Sequence, residues 1–173
     1  MGCYRDDLFS KVIAEARTGV DPVSGGNVRK TSDDFFRENN NEFDLIFIDG
    51  LHHYNQTRKD LENSLNCISE KGLVMLHDCL PINIFNQSVP RVDFERWNGD
   101  VWKLIFQISE NPEYELNVVK IDHGIAILKK KQYQQKTILT RSEKFENLKF
   151  IYFAKNYKKK FNLISFEEFK NRF

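Results

Sequence analysis

The sequence predicts an α/β protein with a doubly wound, mostly parallel sheet that ends in an antiparallel hairpin. Three observations support this prediction. Apolar runs such as FDLIFID, which starts at Phe43, are continuous, as in strands that are covered on both faces. Stretches with helical spacing separate these runs, so strands alternate with helices. Acidic residues follow the strands, at the ends where parallel sheets collect their ligands.

Length and charge predict one domain with an appended tail. At 173 residues, 40% of them hydrophobic, the chain can bury one substantial core. We expect a sheet domain over residues 1–130 and a basic, aromatic, helical tail over residues 131–173. The net charge of +1 conceals this division, because acidic residues dominate before residue 129 and basic residues dominate after it. We expect the tail to pack on the acidic body, or on a second copy in a homo-oligomer, rather than on nucleic acid.

The cysteines and the hydropathy pattern predict a cytoplasmic protein. Cys3, Cys67 and Cys79 are odd in number and match no zinc-binding spacing, which indicates a reduced compartment rather than a disulfide framework. No stretch is long and apolar enough to span a bilayer, and the start MGCYRDD lacks the apolar core of a signal peptide.

Four short elements are predicted before the first long apolar run. Apolar residues recur with helical spacing over residues 8–16, which predicts a helix. A brief strand ends at Asp21, because the proline that follows cannot continue a ladder. A second brief strand is expected over residues 28–31. Ser32 is then predicted to cap a helix that has acidic residues in its first turn.

The middle and the end of the chain repeat the alternation of strand and helix. After FDLIFID, a helix is expected from Tyr54 through Ile68, and a strand over residues 73–76. A long loop over residues 80–98 precedes another helix that begins at Asp100. The runs YELNVVKI and GIAILKK predict an antiparallel hairpin, and Ser165 opens the last helix with a capping box.

Three acidic residues, Asp21, Asp49 and Asp78, end predicted strands and are expected on one rim of the sheet. Asp49 and Asp78 together could hold Mg²⁺, which takes oxygen ligands, although each could instead cap the turn that follows it. His52 lies three residues after Asp49, so we predict that it is a general base. His53 is predicted to be structural.

Other polar and aromatic residues near these strand ends have two interpretations each. At most one of the histidines near the rim is expected to do chemistry, which leaves His77 as a structural hydrogen-bonding group. Asp60 is expected to pair with a surface cation rather than to orient a histidine. Trp97 and Trp102 either wall a substrate pocket or simply cover the sheet.

The motifs DGLHHY, from Asp49, and HD, at His77, resemble class I S-adenosylmethionine-dependent methyltransferases. The likeness is to the branch with D-G-x-H-x-Y and H-D motifs, which includes sugar and macrolide O-methyltransferases. KGLVML and WNGDVW resemble that branch too, and the likeness covers residues 2 to about 130. It implies a Rossmann-like fold, S-adenosylmethionine as the cofactor, and a small-molecule acceptor.

The resemblance also implies roles for individual residues. Asp21 stands where the family holds the ribose hydroxyls of the cofactor, and Ser32 and Asp33 stand beside the adenine. Gly2 is what remains of the glycine loop after the first strand of the family, and we expect the sheet to lack that strand. Cys79 occupies a position where some metal-dependent relatives carry an oxygen ligand.

The metal and base positions follow from the same resemblance. Asp49 and Asp78 match the metal-ligand positions of the metal-dependent members, and His52 matches the position of a base. The sequence therefore predicts methyl transfer from S-adenosylmethionine to a hydroxyl group of a sugar or another small acceptor. The alternative is a catalytically inactive, truncated remnant of the methyltransferase fold that serves as a binding module. A metal-dependent hydrolase would explain Asp49, Asp78 and His52, but not Asp21.

Overall fold

The computed structural model describes residues 1–132 and 136–173, which contain a five-stranded mixed sheet and six α-helices. The last three residues before residue 136, which belong to the predicted tail, lie outside the described residues. The strands are β1 (Phe43–Ile48), β2 (Ile68–Leu76), β3 (Tyr114–Val119), β4 (Ile125–Lys130) and β5 (Leu163–Ile164). The α-helices are α1 (Ser32–Glu38), α2 (Tyr54–Cys67), α3 (Trp102–Ser109), α4 (Glu143–Glu146), α5 (Phe150–Lys160) and α6 (Phe166–Arg172).

The sheet has the order β1-β2-β4-β3-β5, and four of its five strands run in the same direction. Strand β4 alone runs against its neighbours β2 and β3. The predicted α/β class and the predicted hairpin of β3 and β4 are thus confirmed. Ile48 pairs with Leu76, so the carboxyl ends of β1 and β2 lie side by side.

The N-terminal residues extend the hydrogen bonding beyond the outer edge of β1. The Met1 amino group donates to the Phe47 carbonyl at 2.7 Å, and the Asp49 N–H donates to the Met1 carbonyl at 3.0 Å. The Gly2 N–H then donates to the Val20 carbonyl, also at 3.0 Å. This chain of bonds brings the N-terminal segment to the rim where β1 ends.

The core lies between the sheet and helices α2, α3 and α5. Trp102 and Phe106 of α3 are fully buried, and they contact Phe153 and Phe161 from the C-terminal residues. Burying each such side chain contributes roughly 1.5–3 kcal/mol. Strand β5 also joins the sheet beside β3, so the last 38 residues share the core of the body. Within the described residues, no helix combines the length and the apolarity needed to cross a membrane.

The predicted helix over residues 8–16 is wrong, because only a 3₁₀ turn forms at Phe9–Lys11. Val12 and Ile13, which should form its buried face, are exposed. A short helix needs packing to persist, and here none of the five residues after Lys11 is buried. The Arg17 guanidinium instead donates to three backbone carbonyls of this segment.

Several other predicted boundaries also differ from the structure. The two brief strands reduce to one parallel bridge between Val20 and Val28. Thr31, not Ser32, caps α1 by accepting the Asp34 N–H. Helix α2 ends before Ile68, because that residue pairs with β1 and starts β2.

Candidate functional site

A cleft of about 920 Å³ opens where β1 and β2 end. Its walls come from the N-terminal segment, α1, the start of α2, the loop before α3 and the turn between β3 and β4. All the site residues predicted from the sequence line this cleft: Gly2, Asp21, Ser32, Asp33, Asp49, His52 and Asp78. Topology therefore brings together residues that are up to 76 positions apart.

Two histidines and two aspartates converge at the floor of the cleft. His52 Nδ1 lies 3.1 Å from Asp78 Oδ2, and His52 Nε2 lies 3.4 Å from Asp49 Oδ1. His77 Nδ1 lies 3.2 Å from those same two oxygens. Asp49, His52 and Asp78 each offer a potential ligand atom within 4.8 Å of the others.

The segment Trp97-Asn98-Gly99-Asp100, here called the WNGD segment, positions this floor. The Trp97 carbonyl lies 3.0 Å from His52 Nδ1 and can accept a proton from it, which leaves His52 Nε2 facing Asp49. The buried Asn98 amide donates to Asp78 Oδ1 at 3.0 Å. Each of the two bonds fixes one ionisable side chain from the same segment.

The other half of the WNGD segment fixes the backbone of His52 and the start of α2. The Asp100 N–H donates to the His52 carbonyl at 3.1 Å, and the Asp100 carboxylate accepts the Tyr54 N–H at 2.6 Å. Gly99 has a φ of +59° and lies so close to the His52 carbonyl that a Cβ would overlap it. Only glycine fits there without moving His52.

The charged groups of the floor shift one another's pKa values. Burial alone would lower the pKa of His52, but the Asp49 and Asp78 carboxylates raise it above its ordinary value. Burial would likewise lower the pKa of His77, but the same carboxylates raise it to about 11. Burial would raise the pKa of Asp49, yet the two imidazoles hold it well below its usual range. The floor therefore favours positive charge on its imidazoles, beside its carboxylates.

Asp21 lies in the wall made by the N-terminal segment, and backbone N–H groups of that segment occupy most of its acceptor positions. Burial alone would raise the pKa of Asp21, but the backbone N–H groups that donate to its carboxylate lower this pKa. The donors are the N–H groups of Tyr4, Val23 and Ser24, at 2.8–3.1 Å. An ionised carboxylate has about four acceptor positions, so at most one remains for a ligand.

In the same wall, the backbone of Gly2 packs closely against the backbone at the end of β1. It has a φ of +80°, and a Cβ on it would overlap the Asp49 carbonyl. The backbone at Gly2 therefore lies directly against the end of β1, and it is exposed to the cleft.

On the α1 side, Gln56 links the predicted adenine positions to α2. Its side-chain amide lies 2.8 Å from Asp33 Oδ1, 3.3 Å from Ser32 Oγ and 3.0 Å from Asp60 Oδ1. The prediction of a surface ion pair for Asp60 is wrong, because this residue is only 2% exposed. Gln56 and Asp60 were missed as cleft residues, although their i, i+4 spacing places them on one face of α2.

The remaining residues near the cleft divide into lining and buried groups. Trp97 lines the cleft and stacks on His52 with ring centroids 5.1 Å apart, whereas Trp102 is fully buried. Cys79 is also fully buried, and its thiol donates to the Leu76 carbonyl. Burial raises the pKa of that thiol, so Cys79 is no ready metal ligand.

The cleft fits the two implied cofactors differently. Its volume lies within the 300–1,000 Å³ that is usual for small-ligand sites, and its many carboxylates suit the positive charge of S-adenosylmethionine. Mg²⁺ selects oxygen ligands, whereas here imidazole nitrogens stand between the carboxylates. The donor set at the floor therefore does not support Mg²⁺.

Comparison with known proteins gives one finding for this part of the chain. Residues 7–79 match a family of methyltransferase domains, a match that covers less than half of the chain. It includes α1, β1, α2 and β2, and with them Asp21, Asp49, His52 and Asp78. Among curated proteins no match to the chain is found. The family match supports a methyltransferase domain and, with it, a methyltransferase function.

Proposed function

We propose that the protein transfers the methyl group of S-adenosylmethionine to a hydroxyl group of a sugar or another small acceptor. One observation supports this most strongly: a single cleft joins the Gly2 and Asp21 wall to the Nε2 atom of His52. The first part is where the family resemblance locates the cofactor, and the second offers a base within the same space. A cleft that holds both reactants gains rate from proximity.

The N-terminal wall and α1 would hold the cofactor. Gly2 lets the backbone approach closely, and Asp21 would accept one ribose hydroxyl at Oδ2, beside the Tyr4 N–H. Asp33, kept in place by Gln56, would accept from the adenine amino group. When bound, S-adenosylmethionine supplies an electrophilic methyl group on a positively charged sulfur.

His52 would act as the general base. Its Nδ1 proton is directed to the Trp97 carbonyl, so Nε2 carries the lone pair that takes the proton of the acceptor hydroxyl. With that proton removed, bound S-adenosylmethionine would supply its methyl group to the acceptor oxygen and would leave as S-adenosylhomocysteine. Asp49, 3.4 Å from Nε2, stabilises the imidazolium that forms.

The acceptor would enter along the loop before α3. Arg91, Arg96 and Trp97 line the cleft from this loop, opposite the sheet. The Arg91 guanidinium is held by two carbonyls of its own loop, and it lies 5.6 Å from the Trp97 ring. This wall offers an aromatic face and hydrogen-bond donors, the groups that small polar acceptors require.

Isothermal titration with S-adenosylhomocysteine tests the cofactor half of this proposal. We expect micromolar binding by the wild type and at least roughly 10-fold weaker binding by Asp21→Ala, a loss of about 1.4 kcal/mol. Asp34→Ala is the matched control, because Asp34 faces Arg37 on α1 and lies outside the cleft. Equal binding by the wild type and Asp21→Ala would remove the ribose role, and no binding by the wild type would favour the inactive binding module.

A further inference from the structure

The loop before α3 brings positive charge into the cleft without a counter-ion. The guanidinium groups of Arg91 and Arg96 line the cleft from this loop, and Glu95 is the one carboxylate that lines it from the same loop. In the part of the chain that the structure describes, neither guanidinium forms an ion pair with a carboxylate. This wall therefore carries a net positive charge that the protein itself leaves unpaired.

The carboxylates on the other walls are already matched with partners of their own. Asp21 accepts backbone N–H groups, and Asp49 and Asp78 lie beside imidazoles. Asp122 lies 3.2 Å from His77 Nε2, and Asp33 lies 3.4 Å from the Lys59 ammonium group. The two arginines thus differ from the other charged groups of the cleft in having no partner of opposite charge.

Asp93 lies between the two arginines along the loop, but its carboxylate is used to fold the loop. Asp93 Oδ1 accepts the N–H groups of Glu95 and Arg96 at 2.9 and 3.1 Å, and Oδ2 accepts the Asn86 amide at 2.7 Å. These two backbone bonds lower the pKa of Asp93, and the nearby guanidinium groups lower it further. Asp93 does not line the cleft, so it does not occupy the place of a bound anion.

The loop holds Arg91 in a fixed position. Its Nε and Nη2 atoms donate to the carbonyls of Asp93 and Phe94 at 2.8 and 2.6 Å, which uses two of the five N–H groups of the guanidinium. The neighbouring Trp97 ring is fixed in turn, because its indole N–H donates to the Ser88 carbonyl at 2.7 Å. Donors that are already in place bind a ligand at a smaller cost in conformational entropy.

We propose that the acceptor is an anion whose carboxylate or phosphate group binds Arg91 and Arg96 while its hydroxyl group reaches His52. A guanidinium group matches the two oxygens of a carboxylate or phosphate with parallel N–H groups, and such charge-assisted bonds are stronger than neutral ones. The inference rests on the proposed methyl transfer and narrows its acceptor to compounds such as sugar acids and sugar phosphates. Arg91 and Arg96 are then the residues that select the acceptor.

Four hexoses that differ only at carbon 6 test this selection: glucose, glucuronate, glucose 6-phosphate and 6-amino-6-deoxyglucose. Their binding is followed by NMR, with and without S-adenosylhomocysteine, through the indole N–H signal of Trp97; the buried Trp102 is the internal reference. We expect glucuronate or glucose 6-phosphate to bind at least about tenfold more tightly than glucose, and the two compounds distinguish a carboxylate site from a phosphate site. Added salt should reduce this preference.

Arg96→Gln tests the guanidinium that takes no part in holding the loop. We expect the preferred anionic hexose to bind this variant about tenfold more weakly, with the affinity for glucose unchanged. Arg37→Gln is the matched control, because Arg37 pairs with Asp34 on α1 and does not line the cleft. Glu95→Gln should bind the anionic hexose more tightly than the wild type, because it removes a like charge from the wall.

Two results would overturn the proposal. One is that the anionic hexoses bind no more tightly than glucose, or that none of the four binds. The other is that 6-amino-6-deoxyglucose binds most tightly and loses this advantage in Glu95→Gln, because the acceptor would then be a cation. Methyl transfer is measured separately: an anion preference without transfer would overturn the proposed function but leave the anion site, and transfer to glucose without an anion preference would do the reverse.

Discussion

At the scale of single residues, two groups of the site are held by bonds to the backbone. His52 is fixed by the Trp97 carbonyl, and Asp21 by backbone N–H groups. Asp78 has a φ of +64°, an uncommon conformation for any residue but glycine, although Asp tolerates it better than most. Such bonds hold His52 and Asp21 in place where they line the cleft.

The role of His52 can be separated from that of its neighbour His53. In His52→Ala we expect methyl transfer to fall by about 10²- to 10⁴-fold, the usual contribution of a general base. Its affinity for S-adenosylhomocysteine should stay that of the wild type, because the predicted cofactor wall lies elsewhere in the cleft. The measurement is transfer of radioactive methyl from S-adenosylmethionine to a panel of methyl glycosides. His53→Ala should retain transfer, and a fully active His52→Ala would exclude His52 as the base.

At the scale of elements, α2 connects the site to the rest of the fold. The helix lacks a capping side chain at His53, and Asp100 from the WNGD segment supplies the missing acceptor to Tyr54. Asp100 also pairs at 3.0 Å with Lys103, the second residue of α3. One carboxylate thus joins the starts of two helices, with the backbone of His52 between them.

Loss of this cap should lower the stability of the protein. For Asp100→Ala we expect the free energy of unfolding in urea to fall by about 0.5–2 kcal/mol, because a buried N–H at the start of α2 loses its acceptor. Asp100→Asn keeps an acceptor oxygen and should lose less than Asp100→Ala. Equal losses in the two variants would show that the ion pair with Lys103, and not the cap, carries the effect.

At the scale of the whole molecule, two distant parts of the chain complete one body. Met1 and Gly2 continue the hydrogen bonds of the sheet beyond β1. The Asp21 carboxylate accepts the Tyr4 N–H and so holds the residues that follow them. At the opposite edge, β5 pairs with β3, and Lys144 and Lys160 pair with Glu110 of the body. The basic C-terminal residues are thereby matched with the acidic body within one chain.

The N-terminal attachment should depend on pH through Asp21. Because its folded-state pKa is lowered, the stabilisation is present above the unfolded value of about 3.9 and is lost as the pH falls through the folded value. The wild type should therefore exceed Asp21→Asn in unfolding free energy at pH 6, and the difference should shrink at pH 3. Urea unfolding at both pH values measures it. Asp44→Asn, on an exposed residue, is the control, and a difference that grows in acid would contradict the prediction.

The sequence by itself determined elements that local pattern sets: the apolar run forms β1, and the capping box at Ser165 does start α6. The expectation that this strand is covered on both faces is wrong, because β1 lies at the edge of the sheet and Leu45 is 53% exposed. The rule that parallel strands end on one rim groups Asp49 with Asp78 from the sequence alone. Local pattern failed over residues 8–16, because helical spacing without a packing partner does not fold.

Tertiary structure alone decided which atoms of the site are free to act. The WNGD segment lies about 45 residues from His52, and Asp122 lies 45 residues from His77, so no local spacing reveals either contact. Those partners decide which nitrogen of each imidazole faces the cleft. Residue type and strand ends are local properties that a sequence records, whereas the direction of a lone pair depends on groups that only folding brings within hydrogen-bond distance.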